Sequence, residues 1–195
     1  MNYEKLEKNL KANGFAVSHF KTGKEAAEYL NAKIDGKSVG IGGSMSIKEL
    51  GLSDMLRSHN NVIWHWEGDN PKDAMQSDVY LLTPNGLSEN GEIVNIDGTC
   101  NRISSALFGH PEVYYLVGSN KVKENYEEAL WYAQNVVSPK NAMRLNRKTP
   151  CAVKGDKCYH CSSPESICCA LSVIWRKPFG IEYCEFVVVD EELGF

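Results

Sequence analysis

The chain has 195 residues, 43% of them hydrophobic, and a formal net charge of −4 at pH 7. That length fits one domain able to bury a substantial core without disulfide staples. There is no basic footprint for nucleic acid and no apolar run of membrane-spanning length. The charged start MNYEKLEKNLKANG lacks the apolar centre of a signal peptide, so the expectation is a cytoplasmic protein with neither nucleic-acid nor membrane partners.

In chain order, Leu6, Leu10 and Ala12 share one side of an opening helix that Gly14 stops, and Phe15 to Phe20 alternates like a strand. Thr22-Gly23-Lys24-Glu25 is a capping box that starts a second helix. Ser38 to Ile41 reads as a buried strand running into Gly42-Gly43-Ser44 and a helix carrying Ile47, Leu50 and Leu52. Val62 to Trp64 and Val79 to Leu82 are further strands, with a short helix around Ala74 and Met75 between them. Asn90-Gly91 between Leu87 and Ile93 predicts a hairpin.

A helix from Asn101 to Phe108, an apolar strand from Val113 to Val117 and an amphipathic helix from Glu124 to Val137 come next. Ser138-Pro139 reads as the N-cap and first residue of another helix ending near Leu145. A cysteine-rich loop then leads to two closing strands, Leu171 to Trp175 and Phe186 to Val189, expected to pair with each other. Alternating strands and helices predict an α/β fold, three-layered, with a mostly parallel sheet and helices on both faces. Residues 1–148 form the α/β domain, and 149–195, the Cys-rich loop and closing strands, complete the same domain.

Ligands in such folds bind where strands end and loops begin. Gly42, Gly43 and Ser44 can bring backbone N–H groups close to a phosphate or carboxylate, or simply turn the chain and cap a helix. Asp97-Gly98-Thr99-Cys100-Asn101-Arg102 sets a carboxylate, a hydroxyl, an amide and a guanidinium at a helix start. Arg102 can grip an anionic ligand by a bidentate contact or pair with a surface acid. Asn85 and Glu89 come from the neighbouring loop. Glu89 and Asp97 are the candidate acid–base carboxylates, against the plainer readings of a solvated glutamate and a capping aspartate.

Five of the seven cysteines fall at positions 151, 158, 161, 168 and 169. Cys158-Tyr-His-Cys161 has the C-x-x-C spacing that lets two thiolates converge on one metal ion or cluster, and Cys151 and Cys168 flank it. Three readings stay open. Cys151, Cys158, Cys161 and Cys168 hold zinc or an iron–sulfur cluster; or the thiols form reversible disulfides; or they are small apolar groups, as Cys169 and Cys184 are expected to be. His160 either replaces a thiol as ligand or faces solvent.

Gly42-Gly43-Ser44-Met45-Ser46, the run from Asn85 to Asn95, Asp97 to Arg102 and Pro139-Lys140-Asn141-Ala142 together resemble the lactate-utilisation (LUD) domain family. The run Pro150-Cys151, Lys157-Cys158, Cys161 and Ser163 to Cys168 is similar to the cysteine motif of one branch of it. The resemblance implies a fold like that of sugar-phosphate isomerases and CoA transferases. It implies a role in L-lactate utilisation, the oxidation of lactate to pyruvate, with a small anionic ligand and iron–sulfur partner subunits. The tilt from zinc toward an iron–sulfur cluster also comes from the family. Family members usually carry glycine where Cys100 stands. Two alternatives remain: a stand-alone enzyme acting on a sugar phosphate or acyl-CoA, and a non-catalytic, metal-stabilised regulatory subunit. A homodimer is expected by analogy with the fold.

Overall fold

The computed structural model describes residues 1–195. The chain opens with α1 (Tyr3–Ala12), β1 (Ala16–Phe20), α2 (Gly23–Lys33) and β2 (Ser38–Ile41). Next come α3 (Met45–Glu49), α4 (Leu52–Arg57), β3 (Asn61–Trp64), α5 (Pro71–Ala74) and β4 (Val79–Leu82). The hairpin of β5 (Gly86–Ser88) and β6 (Ile93–Asp97) leads to α6 (Asn101–Leu107), β7 (Glu112–Gly118) and the short β8 (Val122–Lys123). Then follow α7 (Tyr126–Tyr132), a π-helical turn (Ala133–Val137), α8 (Ser138–Arg144), α9 (Pro150–Lys154), β9 (Ala170–Ile174) and β10 (Tyr183–Val189).

Six strands form one all-parallel sheet in the order β1-β10-β7-β4-β2-β3. Its inner strands β4 and β7 are almost wholly buried on both faces, as a doubly covered sheet requires. Along β7, Tyr114 and Leu116 join a core closed by Ala27 and Leu30 of α2, Ile47 of α3 and Leu52 and Leu56 of α4. Val113, Tyr115 and Val117 point the other way, into a core shared with Leu6 and Leu10 of α1 and Ala106 of α6. The fold is therefore α/β, with helices flanking both faces. The capping box at α2 forms as its sequence demands: Thr22 accepts from the Glu25 N–H, and the Glu25 carboxylate accepts from the Thr22 N–H.

Four features depart from the sequence reading. A second sheet, β8-β5-β6-β9, shares the α1/α6 face, sending Leu87, Ile93 and Ile174 into that core. The closing strands do not pair with each other: β9 runs antiparallel to β6, while β10 lies parallel between β1 and β7. The helix expected through Ile47, Leu50 and Leu52 breaks at Gly51 into α3 and α4. Ser138 is no N-cap; its backbone is helical and its Oγ donates to the Ala133 carbonyl at 2.8 Å, so α7 passes through the π turn into α8 without a stop.

From β2 the chain moves outward to β3; from β4 it moves the opposite way to β7. The direction of winding thus changes between β2 and β4, and a crevice opens at the carboxyl ends of those strands.

Candidate functional site: a cationic cleft beside a cysteine-lined cavity

The strand exits meet at that edge and line one cleft of about 600 Å³. Gly43 and Ser44 follow β2, His65 and Trp66 follow β3, Thr83 and Asn85 follow β4, and Lys121 lies just beyond β7. Asp97, Thr99, Asn101 and Arg102 enter from the small sheet and α6, and Arg144 and Arg147 from the end of α8. Seven residues singled out in the sequence thus share one cavity: Gly43, Ser44, Asn85, Asp97, Thr99, Asn101 and Arg102. Gly42 lies behind the wall, where an added Cβ would sit 3.1 Å from Arg102 Cγ and 3.2 Å from Tyr80 Oη.

Glu89 is elsewhere. It sits in the hairpin turn with its carboxylate accepting from the Asn2 N–H at the start of α1, and Lys5 is 3.8 Å away. It fastens the N-terminal helix to the small sheet.

The polar groups have specific local duties. Ser44 caps α3, accepting from the Ile47 N–H at 3.2 Å, and its Oγ is 2.7 Å from Thr83 Oγ1. Arg102 spends its guanidinium inside the protein: Nη1 donates to the Thr83 carbonyl at 2.8 Å, and Nη2 to Asn85 Oδ1 and the Ile96 carbonyl at 2.9 Å each. Asp97 Oδ2 accepts from the Ile103 N–H at 3.3 Å and lies 3.8 Å from Arg102 Nε. It does the capping that Cys100, in the left-handed region at φ 64°, leaves undone. Arg102 and Asp97 thus build the wall of the cleft.

The other basic groups of the cleft are residues the sequence reading does not single out. Arg144 lies over the Trp66 indole, 4.5 Å from the ring centre, and is held by Asn141 Oδ1 at 3.0 and 2.8 Å. Trp66 approaches so closely that a Cβ on Gly43 would meet the indole at 3.1 Å. Lys121 is only 4% exposed. Burial, reinforced by Arg102, lowers its pKa from 10.5 to about 7. His65 presents a buried, unpartnered Nδ1, and burial lowers the pKa of its ring below the ordinary histidine value. Arg102, Arg144 and Arg147 outnumber Asp97 and Glu165 around the cleft, which therefore favours an anion. The sequence signal for Lys121 was its place, three residues past an apolar strand; for His65, its place directly after one.

The sequence model of the LUD domain family matches residues 3–189. The chain belongs to the LUD domain family. This LUD domain protein is also similar to a solved structure, that of a DUF162 family protein from Deinococcus radiodurans. The two share 12% identity with a TM-score of 0.57, over 96% of this chain and 95% of that one, a likeness of fold alone. No curated protein matches the sequence. No helix of the LUD domain protein is long and apolar enough to cross a membrane.

Next to the cleft lies a second, more apolar cavity of about 270 Å³. Cys151, Cys158, Cys161, Cys168 and Cys169 all line it. Cys151 sits on α9 rather than in a loop. Thr149 Oγ1 is 3.2 Å from Cys151 Sγ, and the His160 N–H donates to Cys158 Sγ at 3.3 Å. His160 makes that bond from a left-handed backbone at φ 47°, an unfavourable conformation for a non-glycine residue, inside the C-x-x-C run. The Cys168 thiol is pushed up in pKa by burial and further by the facing Cys158 and Cys151. No three His, Cys, Asp or Glu side chains are grouped as ligands of a single metal ion. Cys184 stands apart, buried on β10. Ile96, Ser166, Ile167 and Cys169 line both cavities, so only one layer of residues separates them.

Proposed function

We propose that this LUD domain protein takes part in L-lactate utilisation. The cleft receives a small 2-hydroxy or 2-oxo carboxylate, and the cysteine cavity holds an iron–sulfur cluster that links it to iron–sulfur partner subunits. The observation that carries this reading is the shared wall: an anion-favouring cleft and a cavity ringed by thiols touch through Ile167 and Cys169.

Cys151, Cys158, Cys161 and Cys168 are the ligands in this reading, and the bound cluster would supply one-electron transfer. The backbone N–H of His160, already aimed at Cys158 Sγ, supports it, because N–H groups directed at ligand sulfurs tune such centres. Arg144, fixed by Trp66 and Asn141, presents a guanidinium to the carboxylate. His65, its pKa lowered by burial, offers a proton acceptor in the same cleft.

Calorimetric titration with lactate, pyruvate, a pentose phosphate and an acyl-CoA tests the ligand half. Saturable binding of lactate and pyruvate, weakened in Arg144→Ala, is expected. Binding of the sugar phosphate or acyl-CoA with none of the hydroxy or oxo acid would overturn the reading in favour of a stand-alone enzyme.

A further inference from the structure

Lys121 is buried without an acidic partner. Its Nζ has one hydrogen-bond partner, Ser46 Oγ at 3.3 Å. That hydroxyl donates its own proton to the Leu193 carbonyl at 3.0 Å, so it can only accept from the lysine. A neutral amine donating there keeps its lone pair free, and Lys121 lines the cleft.

The fold works to keep this lysine dry. At the end of β7, Gly118 meets the segment after β10 so closely that a Cβ would lie 2.5 Å from the Leu193 nitrogen. Ser119 N–H donates to the Glu191 carbonyl at 3.0 Å, and Asn120 Oδ1 accepts from the Leu193 N–H at 3.1 Å. Residues 191–195 are thereby strapped across the β7 exit. The charged groups that act on Lys121 are Arg102 of α6, which disfavours the ammonium, and Glu49 of α3, which favours it. The Glu49 carboxylate is taken by the Gly194 N–H at 2.9 Å. A lysine that is dehydrated, faces a guanidinium and makes no salt bridge, with Glu49 the one carboxylate acting on it, is an amine made nucleophilic at neutral pH.

We propose that Lys121 forms an imine with the carbonyl carbon of a small 2-oxo carboxylate bound in the cleft. The Nζ lone pair attacks the carbonyl carbon, and the carbonyl π pair moves to oxygen. One amine proton passes to that oxygen to give the carbinolamine. The C–O bond then breaks, the oxygen leaves as water with the second amine proton, and the C=N bond forms. Amine and carbonyl become imine and water, with no oxidant or reductant consumed. Arg144, on the same cleft wall, supplies the partner for the carboxylate. The proposal rests on the anion cleft of the preceding section and not on the cysteine cavity.

The test is borohydride trapping on the intact parent protein, prepared without oxygen. Pyruvate is the probe, hydride from borohydride reduces the imine to a secondary amine, and peptide mapping locates the product. The expected result is one modified lysine, Lys121, with labelling that rises as pH passes about 7 and is lost in Lys121→Arg. Should Lys121→Arg fail to fold, the map of the parent decides alone. No adduct, or adducts scattered over surface lysines with Lys121 spared, overturns the proposal. An electron-transfer failure would appear separately, as absence of iron from the parent protein.

Discussion

Arg102 Nη2 donates to Asn85 Oδ1 at 2.9 Å, and the same oxygen accepts from the Ile96 N–H at 2.7 Å. One side-chain amide thus ties the β4 exit, the end of β6 and the start of α6 into a single wall. Arg102→Ala removes three donors and takes a partner from the Thr83 and Ile96 carbonyls, while the Asn85 oxygen keeps its bond from the Ile96 N–H. We expect a loss of about 3 kcal/mol of stability by denaturant unfolding. Arg144→Ala should change stability by less than about 1 kcal/mol yet weaken carboxylate binding about tenfold. Equal effects in both variants would reverse these roles.

Cys100 occupies a left-handed position, φ 64°, where side chains are strained and glycine is not. Cys100→Gly should stabilise the protein by about 0.5–1 kcal/mol, the relieved strain being partly offset by the greater freedom of glycine in the unfolded chain. A drop in melting temperature would show that the thiol itself contributes.

Lys121 sets a pH dependence with a definite sign. Its folded pKa, about 7, lies below the ordinary 10.5, so between those values the unfolded chain binds more protons than the folded one. Its penalty is full below pH 7 and fades as pH rises toward 10.5, so stability from this group increases across that window. Lys121→Met should therefore be more stable than the parent at pH 6, by an amount on the order of a few kcal/mol, with the gap closing at alkaline pH. A gap independent of pH would mean that the Lys121 amine titrates in the folded protein as it does in the unfolded chain.

Glu185 on β10 gives a pH dependence of the same sign in the acid range, from a charge that the fold favours rather than one it penalises. It is 1% exposed. Burial opposes its charge, yet Ser18, Lys33, Tyr29 and Tyr183 together hold its carboxyl below the ordinary glutamate range. Tyr29 Oη donates at 2.8 Å, Tyr183 Oη at 2.9 Å, and Lys33 Nζ pairs at 2.9 Å. Its contribution is present above the unfolded glutamate pKa and disappears as pH falls through the lower folded value. Glu185→Gln should lose stability at neutral pH and show a shallower acid-unfolding profile than the parent, measured by circular dichroism against pH.

The parallel strands were legible because they are short, apolar and bounded by turn residues, as in Ser38 to Ile41 and Val79 to Leu82. The pairing of β9 and β10 was not, since an apolar run carries no label for the sheet it joins. Ser138-Pro139 misled for a physical reason: at the end of the π turn both the backbone N–H and the Oγ of Ser138 donate to the Ala133 carbonyl, so the hydroxyl is used inside a continuing helix instead of capping a new one. In the cleft, the motif residues Gly43, Ser44, Asn85, Asp97, Thr99, Asn101 and Arg102 were found by their place at strand exits. Lys121 and His65 were missed because burial alone distinguishes them from ordinary surface side chains. Burial arises from the strap at residues 191–195 and from the Trp66 layer, contacts that no local pattern encodes.

Iron and acid-labile sulfide counted per chain, in protein prepared without oxygen, test the two-cavity arrangement most directly. Both should be present in stoichiometric amounts with visible absorption, and both should vanish in Cys158→Ser/Cys161→Ser while the fold persists. A folded, colourless protein that carries zinc or no metal at all would contradict the electron-transfer role.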